Sequence, residues 1–153
     1  MNTTPSGRGP WLAGLDPGRS KCGLVLVDAM AQRVRQAAIL SPEATLAWLE
    51  HWQQQGLQAV VVGNGTGSKP WVQQAHRLAL TLHVAAEHGT TLAARQRYWE
   101  LFPPRGWRRL VPEGMRLPGR DLDDLAAQLL VERHLGQPLQ RPEEAVLRTW
   151  PAP

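Results

Sequence analysis

The chain has 153 residues, of which 42% are hydrophobic and 20% charged; these proportions are ordinary for a globular protein, and the length favours one domain. Residues 1–10 lack the apolar stretch of a secretory signal, and no apolar run approaches the roughly 18 residues that span a bilayer, so a cytoplasmic protein without membrane contact is expected. The single cysteine, Cys22, excludes an internal disulfide and a paired-cysteine zinc site. The net charge is +4 and 15 of the 17 basic residues are arginine, which favours a nucleic-acid partner.

The first part of the chain predicts a β-hairpin and a third strand. Apolar runs at 11–16 and 22–28 are separated by Pro17-Gly18, a turn-forming pair, so the first strand ends on Asp16. Residues 32–40 predict the third strand. Ser41 then caps a helix that ends at Gly56.

The second part predicts alternating strands and helices. Residues 57–63 predict a buried strand, and 82–86 predict a further strand that leads into Glu87. Helices are predicted over 68–80, 90–101 and 121–135, whereas residues 102–119 are rich in Pro and Arg and show no clear period. This order predicts an α/β fold with a mixed five-stranded sheet, in which three antiparallel strands precede βα units, flanked by helices. The expected boundaries are a disordered arm at 1–10, a domain at 11–137 and a Pro-rich tail at 138–153.

Acidic side chains fall at the ends of elements that such a sheet brings together. Asp16 ends the first strand, Glu87 follows the last strand, and a group at 121–124 begins the final helix. Grouped carboxylates repel one another unless a hard divalent cation neutralises them, and oxygen ligands favour Mg²⁺ or Mn²⁺. For any one of these acids a solvated or helix-capping role is the simpler interpretation. The ordered set of three favours a cation site that hydrolyses phosphodiester bonds.

Four short motifs, in order along the chain, carry a resemblance to a known family. Residues 16–23, Asp-Pro-Gly-Arg-Ser-Lys-Cys-Gly, resemble an Asp-x-Gly-x-x-x-x-Gly pattern, and residues 61–63 match Val-Val-Gly. Residues 87–91, Glu-His-Gly-Thr-Thr, resemble Glu-Arg-x-Thr-Thr, and residues 123–127 resemble Asp-x-x-Ala-Ala. In this set the chain resembles the YqgF/RuvX family of RNase H-like proteins, which are related to the RuvC resolvases.

The resemblance implies an RNase H-like domain that acts as a metal-dependent nuclease on structured RNA or branched DNA, in Holliday-junction resolution or in processing of pre-16S ribosomal RNA. It places the catalytic acids and ligands of Mg²⁺ or Mn²⁺ on Asp16, Glu87 and Asp123. Asp124 is the fallback for the third acid, and Asp121 is expected to cap the helix. A homodimer is expected if the substrate is a four-way junction. The chain departs from the family pattern at Ala86, where the family has an acid, and at His88, which is a candidate proton carrier beside Glu87.

Residues 95–120 form the best candidate surface for nucleic acid, since seven arginines alternate there with aromatic residues. An alternative is that Trp99 and Phe102 are core residues and the arginines a solvated face. The loop 63–69 lacks the spacing of a nucleotide-binding P-loop, although its amides suit a phosphate contact. The predicted nucleic-acid contacts are Arg19, Lys21, Lys69, Arg105, Trp107, Arg108 and Arg109.

Two other functions remain open at this point. A catalytically inactive RNase H-like module that binds nucleic acid would account for Ala86 and for the enlarged basic segment. A protein-interaction scaffold would use exposed tryptophans as anchors.

Overall fold

Strands and helices alternate along the part of the chain that the structure, a computed structural model, describes: residues 11–142 and 144–152. The predicted arm at 1–10 lies outside the described residues. The elements, in chain order, are β1 (Trp11–Asp16), β2 (Cys22–Asp28), β3 (Arg33–Leu40), α1 (Pro42–Gln54), β4 (Leu57–Gly63), α2 (Lys69–Arg77), β5 (Thr81–Ala85), α3 (Thr90–Leu101), α4 (Asp123–Leu135) and β6 (Val146–Leu147). Short 3₁₀ turns lie at Thr66–Ser68, Gly106–Leu110 and Glu113–Met115.

The strands form one mixed sheet in the order β5-β4-β1-β2-β3-β6. β1, β2 and β3 pair antiparallel, whereas β4 runs parallel to β1 and β5 runs parallel to β4. The predicted fold, a mixed sheet with three antiparallel strands before the βα units and flanking helices, is confirmed. A sixth strand, β6, was not predicted, because a two-residue strand has no period that a sequence pattern can reveal.

Helices cover both faces of the sheet, so its central strands are buried on both sides. α1 and α2 place Trp48, Leu49 and Trp71 against one face, and α4 places Ala127 and Val131 against the other. This two-sided burial explains why β2 is an uninterrupted buried run. Of the helices described, none has the length and apolar content needed to cross a bilayer.

α3 lies outside α4 and packs on it through a separate apolar cluster. Trp99 is buried in this cluster and Phe102 packs partly buried against it, so the interpretation of these two aromatics as core residues is confirmed. Arg97 crosses the same interface and donates hydrogen bonds of 2.6 and 2.7 Å to the carboxylate of Glu132. The arginine-rich stretch 95–120 therefore combines structural residues with exposed ones.

Two helix boundaries differ from the prediction. α2 ends at Arg77 rather than near residue 80, because Ala79 takes a positive φ of 55° that ends the helix. α4 begins at Asp123, with Leu122 at the N-cap position and no side-chain cap. The expectation that Asp121 caps this helix was therefore wrong.

The tail beyond residue 137 is attached to the domain. Leu139 is buried, and Gln140 exchanges backbone hydrogen bonds of 2.8 Å with the start of β3. Arg141 reaches the fully buried carboxylate of Asp124, which also accepts a 2.8 Å hydrogen bond from Arg120. Two guanidinium groups thus compensate one carboxylate that has no access to water.

Arg141→Met is expected to destabilise the domain by about 3 kcal/mol, since it leaves the buried Asp124 carboxylate with one cation instead of two. Urea unfolding of this variant should be compared with that of Arg148→Met, which changes an exposed arginine of the same tail and should move the free energy of unfolding by less than about 0.5 kcal/mol. Equal stability of the two variants would contradict the role of Arg141 in compensating the buried Asp124 carboxylate.

Candidate functional site

Asp16 ends β1 between two neighbouring strands that each present a glycine. In the antiparallel pair Asp16 lies opposite Gly23 of β2. On the other side Leu15 pairs with Val62 of β4, so Gly63 follows at the level of Asp16. The side chain of Asp16 is half-buried at this edge of the sheet.

Gly23 admits the start of α4. A Cβ atom at this position would lie 2.8 Å from the amide nitrogen of Asp124 and would overlap the carbonyl oxygen of Asp123. Farther along β1, a Cβ on Gly14 would lie 2.6 Å from the carbonyl oxygen of Ala127. The helix backbone therefore rests directly on β1 and β2, and this contact sets Asp123 beside Asp16.

Gly63 admits the side chain of Glu87. A Cβ atom on Gly63 would lie 2.6 Å from the carboxyl carbon of Glu87, and one on Gly65 would lie 2.9 Å from the same atom. The backbone of Glu87 is held as well, because its N–H donates to Asn64 Oδ1 at 3.1 Å and its carbonyl accepts from Thr90 Oγ1 at 2.8 Å. Asn64 and Thr90 therefore position Glu87.

Gly89 completes the turn between Glu87 and α3. Its φ of +74° lies in the left-handed region, which a side chain disfavours. This φ lets the chain reverse after Glu87 and start α3 at Thr90. The Glu-His-Gly-Thr-Thr motif is thus a strand-to-helix turn that fixes an acid.

Burial and the two other acids together raise the pKa of Asp16. Burial, with added repulsion from Glu87 and Asp123, raises the pKa of Asp16 from 3.8 to about 7. Burial also raises the pKa of Asp123, although the nearby Lys21 ammonium opposes this change. The three predicted acids therefore form one electrostatic group centred on Asp16.

Lys21 belongs to this acidic group. Its ammonium makes an ion pair with Asp121 and lies 3.7 Å from Asp123 Oδ2. The hydrogen bond to Asp121 raises the pKa of Lys21 and lowers the pKa of Asp121. Lys21, predicted as a nucleic-acid contact, thus stands beside the carboxylates as an internal counter-ion.

Asp124, the fallback for the third acid, has a structural role. Its carboxylate is fully buried and is shared by Arg120 and Arg141. Asp123, one position earlier, faces the cleft instead.

An open cleft of about 240 Å³ lies in front of Asp16 and Asp123. Arg95 and Arg120 contribute basic groups to its wall, so a cleft with acids at its base has cations at its side. Glu87 does not line this cleft, because its side chain lies across Gly63 and Gly65. The remaining lining residues are Thr91, Ala94, Pro118, Asp121, Leu122 and Ala126.

The carboxylate oxygens of this site suit a hard cation, although they are not already arranged to coordinate one. Asp123 Oδ2 is buried and has no hydrogen-bond partner among the described residues, although the Lys21 ammonium lies 3.7 Å away; burial, with added repulsion from Glu87 and Asp123, raises the pKa of Asp16. In residues 11–142 and 144–152, however, no group of three or more His, Cys, Asp or Glu side chains is placed to hold a metal ion. The carboxylates thus fit Mg²⁺ or Mn²⁺ by chemistry, and binding would require the side chains to draw together.

The other predicted nucleic-acid residues are exposed and lie in two regions. Arg19 lies in the β1–β2 turn and Lys69 begins α2. Arg105, Trp107, Arg108 and Arg109 lie on or beside the first 3₁₀ turn after α3. Sequence reasoning missed the cleft position of Arg120, although its neighbour Asp121 was singled out. It also missed Asn64, whose place in the Gly-rich loop between two strand ends was the available signal.

Comparisons with known proteins give likenesses to solved structures only. No protein-family model matches the chain, and no curated protein does. Among solved structures, T. thermophilus RuvC in complex with a Holliday junction substrate is similar to this chain at 15% sequence identity, with a TM-score of 0.47; the match covers 82% of this chain and 96% of that one. At these values the likeness carries no inference about activity.

Asp16→Asn is expected to stabilise the protein at pH 8 but not at pH 4. The folded-state pKa of Asp16 is raised, so the neutral carboxyl stabilises the fold below pH 3.8 and this contribution is lost as the pH rises to about 7. With solvent screening allowed for, the variant should be more stable than the parent by about 2 kcal/mol at pH 8.

Urea unfolding in a chelating buffer at both pH values measures this difference. Glu113→Gln, which neutralises an exposed acid away from Asp16, serves as the control. A parent protein as stable as the Asp16→Asn variant at pH 8 would contradict the raised pKa of Asp16.

Proposed function

We propose that the chain is a metal-dependent nuclease that hydrolyses phosphodiester bonds in structured nucleic acid. The substrate would be branched DNA, as in Holliday-junction resolution, or structured RNA, as in pre-16S ribosomal RNA processing. The observation that supports the proposal best is the placement of a half-buried Asp16 near Glu87 and Asp123 beside an open cleft, where burial first and repulsion from these two acids second raise the pKa of Asp16 to about 7. If the substrate is a four-way DNA junction, the protein would act as a homodimer.

Asp16, Asp123 and Glu87 would hold Mg²⁺ or Mn²⁺ through carboxylate oxygens. When bound, such a cation supplies Lewis-acid activation of water and neutralises charge that develops on the phosphate. Asp16, as the central acid, would lose its proton on binding, since a divalent cation favours the carboxylate form.

The basic residues of the cleft would orient the substrate. Arg95 lines the wall, where its guanidinium group can receive a phosphate of the backbone, whereas the guanidinium group of Arg120 is already committed to Asp124 and to the carbonyl oxygen of Asp121. Lys21 lies within 3.7 Å of Asp123, so its ammonium can partly neutralise the site before a cation binds. Its charge also favours the approach of a phosphate to the acids.

A second candidate function is a nucleic-acid-binding module without nuclease activity. Lys21 favours it, because an internal ammonium already neutralises part of the acidic group, and so does Glu87, because its side chain lies outside the cleft lining. This protein would bind nucleic acid through its exposed arginines and would not need Asp16.

Cleavage assays separate the two functions. The nuclease proposal expects cleavage of four-way DNA junctions or stem-loop RNA that requires Mg²⁺ or Mn²⁺, and a loss of at least about 100-fold in Asp16→Asn. The thermal midpoint of the parent should also rise with added Mg²⁺ in the absence of substrate, and the midpoint of the variant should rise less.

Met30→Ala, which changes a 77% exposed residue in the β2–β3 turn, is the control and should cleave as the parent does. Binding without cleavage by the parent, unchanged in Asp16→Asn but weakened in Arg108→Gln/Arg109→Gln, would establish the binding module instead. Equal cleavage by parent and Asp16→Asn would overturn the assignment of the site.

Gly63→Ala tests the position of Glu87 separately. The new Cβ would displace the flexible Glu87 side chain rather than backbone, so we expect little change in stability but a fall in cleavage of about 10- to 100-fold. Gly67→Ala is the matched control in the same loop, because its Cβ would meet only ordinary contacts of 3.5 Å or more. Full activity of Gly63→Ala would exclude Glu87 from the reaction.

A further inference from the structure

Residues 106–117, here called the 106–117 surface, combine exposed apolar and basic side chains. Trp107 is 71% exposed, Leu110 87%, Met115 73% and Leu117 74%; these are four of the eight large apolar residues that the described chain exposes. So much apolar surface within 12 residues indicates a binding surface rather than scattered exposure.

The 106–117 surface is held in place by Arg116. The Nε of this arginine donates to the carbonyl oxygens of Arg108 (3.1 Å) and Val111 (2.8 Å), and its guanidinium carbon lies 5.9 Å from the centre of the buried Trp99 ring. These contacts tie two consecutive 3₁₀ turns to the core behind α3. The surface is therefore shaped before a partner binds.

Between the two turns lies a pocket of about 240 Å³ with an aromatic wall. Trp107 and Leu117 contribute exposed apolar surface, and the Arg108 guanidinium lies 5.9 Å from the centre of the Trp107 ring. A flat ring that enters the pocket would meet the indole and aliphatic groups while remaining close to cations. The other lining residues are Val111, Met115 and Arg116.

The positive charge of the 106–117 surface favours an anionic partner. Arg105, Arg108, Arg109 and Arg116 lie on or beside the 106–117 surface, against one acid, Glu113. A second copy of the same surface would bring like charges together, whereas a polyanion complements them. Flat rings joined by anionic groups are the chemistry of a nucleic-acid strand.

The surface adjoins the cleft at the Asp16 edge. Pro118 and Arg120, which follow the 106–117 surface directly, line that cleft. A shallow pocket between Arg95 of α3 and Glu113 and Gly114 of the second turn joins the two regions. A strand whose phosphate lies near Asp16 can therefore continue over this surface.

We propose that the 106–117 surface binds an unpaired nucleotide, with its base in the Trp107 pocket and the adjoining phosphates on Arg108 and Arg109. A base inside a duplex has both faces covered by its neighbours, so only an unpaired or extruded base presents a face to Trp107. This deepens the proposed nuclease function and rests on it for the role of the cleft: the substrate carries unpaired residues close to the bond that is cut.

A matched pair of oligonucleotides tests the base pocket without any cleavage. A fluorescein-labelled oligothymidylate of about 12 nucleotides is compared, by anisotropy in EDTA, with an abasic strand of equal length and charge. We expect the parent to bind the strand with bases about tenfold more tightly than the abasic strand. Trp107→Ala should reduce this preference to less than about twofold and leave the affinity for the abasic strand unchanged, whereas Trp107→Phe should retain most of it.

Two further variants separate stacking from charge. Arg108→Gln/Arg109→Gln should weaken binding of both strands and lower its dependence on salt, because phosphate contacts do not depend on the base. Met30→Ala, which changes a 77% exposed residue in the β2–β3 turn, should alter neither affinity. Circular dichroism of each variant confirms that the fold is retained.

Several results would overturn the proposal. Equal affinity of the parent for the two strands, or a preference that survives in Trp107→Ala, would show that only charge is recognised. Concentration-dependent sedimentation of the parent that is lost in Leu117→Ser would assign the surface to a second copy of the chain. The binding test is independent of the nuclease assay, because Asp16→Asn should lose cleavage but keep the preference for the strand with bases. A parent protein that shows this preference but never cleaves would refute the proposed nuclease function and leave the base pocket standing.

Discussion

The close approach of two chain segments to glycines on either side of Asp16 is the contact on which the rest of the structure depends. At Gly23 the first turn of α4 touches the backbone of β2, and at Gly63 the carboxyl group of Glu87 occupies the space of a missing side chain. Larger residues at these places would push away α4 in one case and Glu87 in the other. The glycines therefore determine both how the helical layer lies on the sheet and which acids surround Asp16.

The position of Asp16 in this geometry raises its pKa. Burial of Asp16, with added repulsion from Glu87 and Asp123, raises the pKa of Asp16 to about 7, so the arrangement opposes the ionised form of its own central acid. Lys21 relieves only part of this charge, because its closer partner is Asp121. Packing of the sheet and helices, rather than any local attraction, holds the three acids together. Such stored repulsion is typical of a site built for a cationic ligand.

The sequence predicted the fold well because its elements carry strong local signals. Unbroken apolar runs, the Ser41 cap that accepts from the Ala44 amide, and the turn glycines specify each element independently of tertiary contacts. Asp16, Glu87 and Asp123 were predicted from strand ends and a family resemblance, and the structure brings their charges together. The attachment of the tail to the domain was not predictable. The pairing of Arg141 with Asp124 joins residues 17 positions apart, and it depends on the burial of Asp124. The same holds for Lys21, whose partner lies 100 residues away.

The distribution of charge links the acidic edge to the basic segment that follows α3. Arg120 donates to the buried Asp124 and also lines the cleft, so the end of this segment is fixed to α4 by an ion pair that water does not screen. Arg116 fixes the middle of the segment through backbone carbonyls. The side chains of Trp107, Arg108 and Arg109, which precede Arg116 in this segment, remain exposed and can meet a partner. Acids that repel an anionic backbone thus lie beside cations that attract it, and a strand can be held near Asp16 only if those cations carry most of its phosphates.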